Sequence, residues 1–402
     1  MQSKKDIRFF PIFLAATMGT ILEIIATLVD EIVRAEGAGD QKKMSEIFSQ
    51  TMLLCGLCGV GLTLIYVLFT PQLVRFVADD PAVYDNALNY FKAMRFYPLV
   101  DMFDTFLFTY VLYRGGFVQF YIGIFIRIVV NSLLSYLLGS AMGLMGIGLA
   151  SIISLLLALM VKLTFLLTKK HGLKFRWYFN SREALLIARL GLPESALFIF
   201  IVILEMAVNS FTLKNYGAAV GVASVAVVIN IFEFVLYLSE GISEYEIVAV
   251  NNSIGQISSK SMDHAIGVTL RAAVTEGAAL VVLILLAANV LPEAFDIDDP
   301  ETARLAAVML RIFAPTAVFI CLSRVTAIFY QYTRRIPRTL ILFGLSIAVL
   351  PAGFGILFGQ LSLEGIAFGM ALGPAAALAL MYGYVHIIKK EKLFDYTLMQ
   401  LE

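Results

Sequence analysis

Residues 340–358 read LILFGLSIAVLPAGFGILF, nineteen residues without a charged side chain. An α-helix of about this length crosses the ~30 Å hydrocarbon core of a bilayer. The apolar residues do not alternate with polar ones, as they do in the strands of a membrane-spanning barrel. We therefore predict a membrane-spanning helix at this position.

Ten further stretches show the same pattern, so the chain is predicted to be an all-α polytopic membrane protein with eleven spans. They are Pro11–Val33, Ile47–Thr70, Ala87–Tyr113, Val118–Leu138, Leu144–Leu167, Leu186–Leu213, Ala218–Val250, Ile266–Leu291, Ala303–Tyr332 and Gly365–Ile388, with Leu340–Phe358 the tenth span in chain order. Of the 402 residues 60% are apolar and 15% charged, against about 45–50% and about 25% in soluble domains. This composition excludes a soluble enzyme.

The composition and motifs also limit the kinds of partner and cofactor that we expect the protein to bind. Lys+Arg and Asp+Glu each number 30, so no positive excess suggests a nucleic-acid partner. No Gly-Lys-Ser/Thr loop appears that would cradle a nucleotide phosphate, and no cluster of cysteine and histidine suggests a metal site. We expect no cofactor, and the lipid bilayer and a small molecule as partners.

Positive charges concentrate in alternate loops, and such loops face the cytoplasm. The positive set is Arg34, Lys42, Lys43, Arg114, Lys169, Lys170, Lys174, Arg176, Arg182, Lys260, Arg334, Arg335, Arg338, Lys389, Lys390 and Lys392. The other loops hold Asp79, Asp80, Asp296, Asp298 and Asp299. We predict a multi-pass protein of the plasma membrane (a prokaryotic inner membrane) with a cytoplasmic C-terminus. The predicted parts are an N-terminal bundle over 1–168, a cytoplasmic linker over 169–185, a C-terminal bundle over 186–390 and a tail over 391–402.

The chain contains an internal repeat. Three pairs of motifs, which extend from Asp79 to Ile147 in the first copy, match at one offset of 219 in the numbering. They are Asp79-Asp80-Pro81 with Asp298-Asp299-Pro300, Tyr113 with Tyr332, and Met145-Gly146-Ile147 with Glu364-Gly365-Ile366. An even number of crossings separates the copies, so we predict two bundles related by a pseudo-twofold axis along the membrane normal.

The start of each half follows another offset. Pro11 opens the first span as Pro193 opens the sixth, and Ile21-Leu22-Glu23 matches Ile203-Leu204-Glu205 at an offset of 182. The two offsets, 219 and 182, differ by 37, which corresponds to one helix and a loop. We predict that the N-terminal bundle lacks one helix near its start, in a nominal 6+6 arrangement.

The motifs resemble the multidrug and toxic compound extrusion (MATE) family of cation-coupled exporters. Similar to that family are the stretches Thr27–Ile32, Ala35–Lys43, Tyr113–Gly116, Gly143–Gly148 and Gly191–Pro193, together with Asn131. The resemblance implies two six-helix bundles, a monomer, and H⁺ or Na⁺ as the coupling ion. It also implies a cation site in the N-terminal bundle around Asp30 and Asn131. Ser135 stands where some members carry an aspartate, so this site departs from the family.

Ionisable groups at membrane depth are functional hypotheses by default. Glu205 lies about 18 Å into its helix, counted from Pro193 at 1.5 Å per residue, and Glu23 occupies the repeat-related position. We interpret Glu205, Glu23 and Asp30 as candidate cation-coupling residues. Hydrogen bonds between helices are the structural alternative for each.

The seventh span carries a polar stripe. Glu233, Tyr237, Glu240 and Glu244 are spaced by four, three and four residues, which places them on one helix face, whereas Glu246 points elsewhere. We predict that Glu233 is a coupling residue and that the other three line a wet substrate cavity. A solvated helix end is the alternative for Glu240 and Glu244.

Asn209 and Asn131 also lie at interior depth, where either could coordinate a cation or join two helices. We place Asn131 among the cation-coupling residues and Asn209 in the substrate cavity. The leading hypothesis is a secondary antiporter that exports amphipathic, often cationic, compounds by alternating access. A lipid-linked oligosaccharide flippase of the same superfamily is the first alternative. It predicts a basic cavity, whereas these interior candidates are acidic. The second alternative is a non-transporting membrane scaffold derived from a transporter.

Overall fold

The computed structural model describes Val29 and residues 31–77, 81–167, 177–295 and 297–396. These residues fold almost entirely into helices, and no strand occurs among them. The predicted all-α class is confirmed. Most of the first predicted span, 11–33, lies outside the described residues, as do Glu23 and Asp30.

From Gln41 onward, thirteen helices organise the described chain. Before the repeat-related Pro193 lie α1 (Gln41–Val77), α2 (Pro81–Ala93), α3 (Tyr97–Tyr113), α4 (Phe117–Met142) and α5 (Leu144–Leu167), followed by α6 (Ser181–Tyr216), which contains that proline. After them come α7 (Ala223–Gly255), α8 (Ser259–Ala287), α9 (Leu291–Ala294), α10 (Pro300–Phe313), α11 (Thr316–Tyr332), α12 (Ile336–Gly359) and α13 (Leu363–Ile388). The chain divides into two compact units between Leu192 and Pro193.

Eight of the helical segments are long and apolar enough to cross a membrane. They correspond to eight of the eleven predicted spans. The two others within the described residues are interrupted. The predicted span Ala87–Tyr113 is divided into α2 and α3, and Ala303–Tyr332 is divided into α10 and α11, which meet at a bend of 50°. Proline explains both breaks, because Pro98 lies in the first turn of α3 and Pro315 caps α11.

The helix boundaries reproduce the repeat. Four helices of the N-terminal unit start at the predicted offset of 219 before their counterparts. The pairs of starting residues are Pro81 and Pro300, Tyr97 and Thr316, Phe117 and Ile336, and Leu144 and Leu363. The predicted register is therefore confirmed, and it includes the two proline-associated breaks.

Two repeat-related glycines lie where the helices of a hairpin pack against each other, α4 with α5 in the first unit and α12 with α13 in the second. A Cβ on Gly146 would overlap the backbone oxygen of Leu138, and one on Gly365 would overlap that of Phe358. Both helix pairs therefore need a residue without a side chain at this crossing. The matching motifs in the sequence mark the same close contact twice.

The segment after α13 folds back onto α12. Arg338 Nη1 donates a hydrogen bond of 2.8 Å to Glu391 Oε2, and this bond holds the pKa of the Glu391 carboxyl below its ordinary value. The Tyr396 hydroxyl donates to Asp263 Oδ1 at 2.7 Å, which raises the pKa of Tyr396. Because the Glu391 pKa is lowered, its contact is complete at neutral pH and is lost as the pH falls through that value.

We predict that Gly365→Ala destabilises the C-terminal unit by about 1–3 kcal/mol, because the new methyl group overlaps the backbone of α12. The melting temperature of the purified protein in detergent should fall. Gly353→Ala in α12 is the matched control, since a Cβ there meets no atom within 4 Å. Equal melting temperatures for both variants would contradict the close packing described here.

Candidate functional site

Helices α6 and α7 bring together the two carboxyl groups that the sequence places deepest. Glu233 is within hydrogen-bonding distance of Glu205, and both side chains are half-buried. A hydrogen bond between two carboxyl groups requires a proton on one of them. This pair can therefore bind and release a proton while the other carboxyl keeps its charge.

The polar stripe of α7 continues from this pair. Glu233, Glu240 and Glu244 are half-buried, and Tyr237 is 49% exposed. The Tyr237 hydroxyl interacts electrostatically with Glu205, Glu233 and Glu240. The spacing of four, three and four residues therefore yields the common face that the sequence predicts.

The two asparagines have side-chain oxygens that a bound cation could use. The side-chain oxygens of Asn131 on α4 and Asn209 on α6 are buried, and neither has a hydrogen-bond partner within the part of the chain that the structure describes. Asn209 follows Glu205 by four residues and so lies on the same face of α6. Roles for Asn131, Asn209, Glu23 and Asp30 stay predictions, the last two outside the described residues.

Inside the N-terminal unit, charged side chains form a network that the sequence analysis did not single out. Lys162 Nζ of α5 lies 2.5 Å from Asp104 Oδ1 of α3, and both side chains are fully buried. Arg127 of α4 donates through Nη1 to Asp104 Oδ2 at 3.0 Å. Its Nη2 lies 3.6 Å from Asp101 Oδ1 and donates to the Tyr97 hydroxyl at 3.2 Å.

Two local features of α4 accommodate this network. A Cβ on Gly123 would lie 2.9 Å from Lys162 Cε, so the glycine leaves room for the lysine. Arg127 belongs to the π-helical turn Ile126–Val130, and such turns often occur at functional sites. Two carboxylates here balance two basic groups. In the described part of this unit the buried charges around Asp104 are therefore balanced rather than acidic.

The C-terminal unit also contains a buried basic side chain, Arg324. Arg324 Nη2 of α11 lies 2.8 Å from Glu194 Oε2, next to Pro193 in α6, and Arg324 Nε donates to Ser243 Oγ at 3.4 Å. Glu246 of α7 is fully buried and interacts electrostatically with Arg324. Glu246 lies off the stripe, as its spacing predicts, and it belongs to this buried cluster.

The repeat shows how the two networks differ. In the repeat register, Asp104 corresponds to Ser323 and Arg127 to Ser346, which lies in the matching π-helical turn Gly344–Val349. The N-terminal unit thus holds charges at positions where the C-terminal unit holds hydroxyl groups.

No group of three or more His, Cys, Asp and Glu side chains is arranged to hold a metal ion in the described part of the chain. Long apolar helices with ionisable groups buried inside the bundles are typical of membrane transporters, where such groups mark ion and substrate pathways. The chain belongs to the MATE family, because the MatE family model matches residues 31–137 and 193–357, well over half of its length.

The relatives agree with this assignment. The probable multidrug resistance protein YoeA of Bacillus subtilis (strain 168) is 25% identical over 400 residues, which are 96% of this chain and 85% of that protein. The solved outward-facing structure of a multidrug resistance MATE family transporter of the MOP superfamily has a TM-score of 0.82 and 20% identity, over 92% of this chain and 84% of that one.

A MOP superfamily transporter from Pyrococcus furiosus, described as having a binding pocket of reversed polarity, has a TM-score of 0.78 and 20% identity. That match covers 92% of this chain and 84% of the other. These likenesses confirm the predicted helical fold with two bundles. The chain is a multi-pass membrane transporter and not an enzyme, as the sequence predicted.

We predict that Lys162→Met destabilises the protein by about 3–5 kcal/mol, because breaking a buried ion pair leaves Asp104 short of positive charge. The double variant Lys162→Met/Asp104→Asn should recover most of this loss, since both charges leave together. Thermal unfolding in detergent measures the effect. The exposed control Lys260→Met should melt like the wild type, and wild-type melting of Lys162→Met itself would refute the network.

Proposed function

We propose that this chain is a cation-coupled antiporter that exports amphipathic, often cationic, compounds by alternating access. The observation that carries the proposal is the pair Glu205 and Glu233, two carboxyl groups within hydrogen-bonding distance on neighbouring helices. A site with this chemistry binds H⁺, or Na⁺ at two carboxylate oxygens, and a cationic substrate competes for the same negative charge.

Competition between the ion and the substrate explains how such a site couples the entry of the ion to the export of the cationic compound. Entry of the ion removes one negative charge from the carboxyl pair and weakens its attraction for the cationic compound, which then leaves. Loss of the ion on the opposite side of the membrane restores the charge. The stripe of Tyr237, Glu240 and Glu244 extends the negative face for substrates of different length, and the exposed ring of Tyr237 suits flat cations.

The charges of the described interior argue against the flippase alternative. A site for a lipid-linked pyrophosphate needs excess positive charge, whereas Lys162 and Arg127 are neutralised by Asp104 and Asp101, and Arg324 is paired with Glu194. The scaffold alternative predicts no transport and is decided by the first experiment below.

We also propose that the protein acts as a monomer in the plasma membrane with its C-terminus in the cytoplasm. The distribution of Lys and Arg among the loops supports this orientation.

We predict that Glu205→Gln and Glu233→Gln each abolish ion-driven export. Glutamine keeps the size and hydrogen-bonding capacity of the side chain but removes the exchangeable charge. The measurement is efflux of a cationic dye from proteoliposomes driven by a pH or Na⁺ gradient. Applying the two gradients separately identifies the coupling ion.

Glu301→Gln is the matched control, because Glu301 is exposed at the start of α10. It should transport like the wild type. Wild-type efflux in both Glu205→Gln and Glu233→Gln, at equal amounts of folded protein, would exclude the carboxyl pair as the coupling site. A wild-type protein that transports no dye under either gradient would favour the scaffold alternative.

The orientation predicts which loops react from outside the cell. After Cys55, Cys58 and Cys321 have been replaced by alanine, Asp298→Cys should react with a membrane-impermeant maleimide in intact cells. Lys260→Cys should react only after the membrane is opened. The reverse pattern would overturn the orientation.

A further inference from the structure

Glu246 is the buried carboxyl group that the coupling scheme above does not use. Its side chain is fully buried, and within the described residues neither of its carboxyl oxygens has a hydrogen-bond partner. Ser239, Ser243 and Glu246 are spaced by four and three residues and all three are buried, so they form a second polar face of α7. This face differs from the one that carries Glu233.

Arg324 is the positive group that acts electrostatically on Glu246. Its guanidinium pairs with Glu194 Oε2 at 2.8 Å and lies 5.4 Å from the centre of the Phe343 ring. The side chains of Arg324 and Glu194 are 7% and 12% exposed. Arg324 also donates through Nε to Ser243 Oγ at 3.4 Å, three residues before Glu246 on the same face of α7, and it acts electrostatically on Glu246. One guanidinium therefore interacts with carboxyl groups from two helices.

Charge balance then fixes the number of protons. With both carboxyl groups ionised, this buried cluster would carry one uncompensated negative charge, at a cost of several kcal/mol. Ser243 and Phe343 add no positive charge. A metal ion is disfavoured as the compensating cation, because the guanidinium repels it. A proton bound to one carboxyl oxygen leaves that group neutral and avoids this repulsion.

We propose that Glu194 and Glu246 share one proton, which is held by whichever of the two carboxyl groups Arg324 does not pair with. In the arrangement described here, Arg324 pairs with Glu194, so Glu246 carries the proton. In the exchanged arrangement the proton has moved from Glu246 to Glu194 Oε2. The hydrogen bond from Arg324 to Glu194 is then broken, and an equivalent bond to Glu246 has formed. The total charge is the same in both.

The proton site is connected to the coupling pair through the stripe of α7. Glu194 interacts electrostatically with Glu240, and Tyr237 interacts with Glu240, Glu233 and Glu205. This connection rests on the proposed function, whereas the shared proton does not. Arg324 of α11 is the charged group that acts on Glu246, and Glu194 of α6 pairs with the same guanidinium. Glu240 and Glu244 of α7 lie on the stripe, a different face of the helix from Glu246.

Infrared difference spectroscopy of the purified protein tests the shared proton without any transport. The probe is the C=O stretching band of a protonated carboxyl group, identified by its shift in D₂O. Glu246→Gln should remove one such band relative to the wild type. Glu194→Gln should remove the same band, because Arg324 is then released to pair with Glu246, which loses its proton.

Arg324→Met should do the opposite and add one protonated carboxyl, since Glu194 loses its positive partner. Glu301→Gln should leave the band of the protonated carboxyl group unchanged. Folding of each variant is checked by gel filtration and by melting temperature. The isosteric Glu→Gln variants keep the test usable if Arg324→Met does not fold.

Two results would overturn the proposal. If Glu246→Gln removes only ionised carboxylate bands, Glu246 carries no proton. If Glu194→Gln keeps the protonated band, the proton of Glu246 is fixed and is not shared. Failure of the proposed function is distinguishable, because it shows as wild-type dye efflux by Glu205→Gln, whatever the spectra contain.

Discussion

A charge inside a bilayer must be balanced within the protein, because lipid offers neither water nor counter-ions. The described helices meet this constraint in three ways. Lys162 and Arg127 neutralise two aspartates in the N-terminal unit. Glu205 and Glu233 lie close enough to share a hydrogen bond, which requires a proton. Arg324 forms an ion pair with Glu194 and also interacts electrostatically with Glu246. Among these three arrangements, only the first pairs each carboxylate with a basic side chain.

The two copies of the repeat share their helix boundaries and differ in their interior polar side chains. Helix starts and the glycine contacts of Gly146 and Gly365 keep one constant offset in the numbering. At the same offset Asp104 and Arg127 are replaced by Ser323 and Ser346. Helix packing tolerates only glycine at the crossing, whereas an interior polar position tolerates any set of groups that balances its own charge. The two units therefore have one architecture and two kinds of polar interior.

Patterns that depend on one helix were predictable from the sequence, and contacts between helices were not. The spans, the repeat register and the face shared by Glu233, Tyr237 and Glu240 follow from hydropathy, from matching motifs and from about 3.6 residues per turn. Helix breaks at Pro98 and Pro315 were missed because apolar composition continues across them. The Lys162 and Arg324 networks were missed because their partners lie on other helices. Charged residues within apolar spans were the available signal.

Helix α7 joins the two proton-binding arrangements mechanically. Glu233 and Glu246 are thirteen residues apart on one uninterrupted helix, which places them about 20 Å apart along its axis at 1.5 Å per residue. They also lie on different faces, one toward Glu205 of α6 and the other toward Arg324 of α11. A displacement of α7 that breaks the contact of one carboxyl must move the other. Under the proposed function, protonation at either end acts on the same helix, and a displacement of this helix is how ion binding would be linked to a change of conformation.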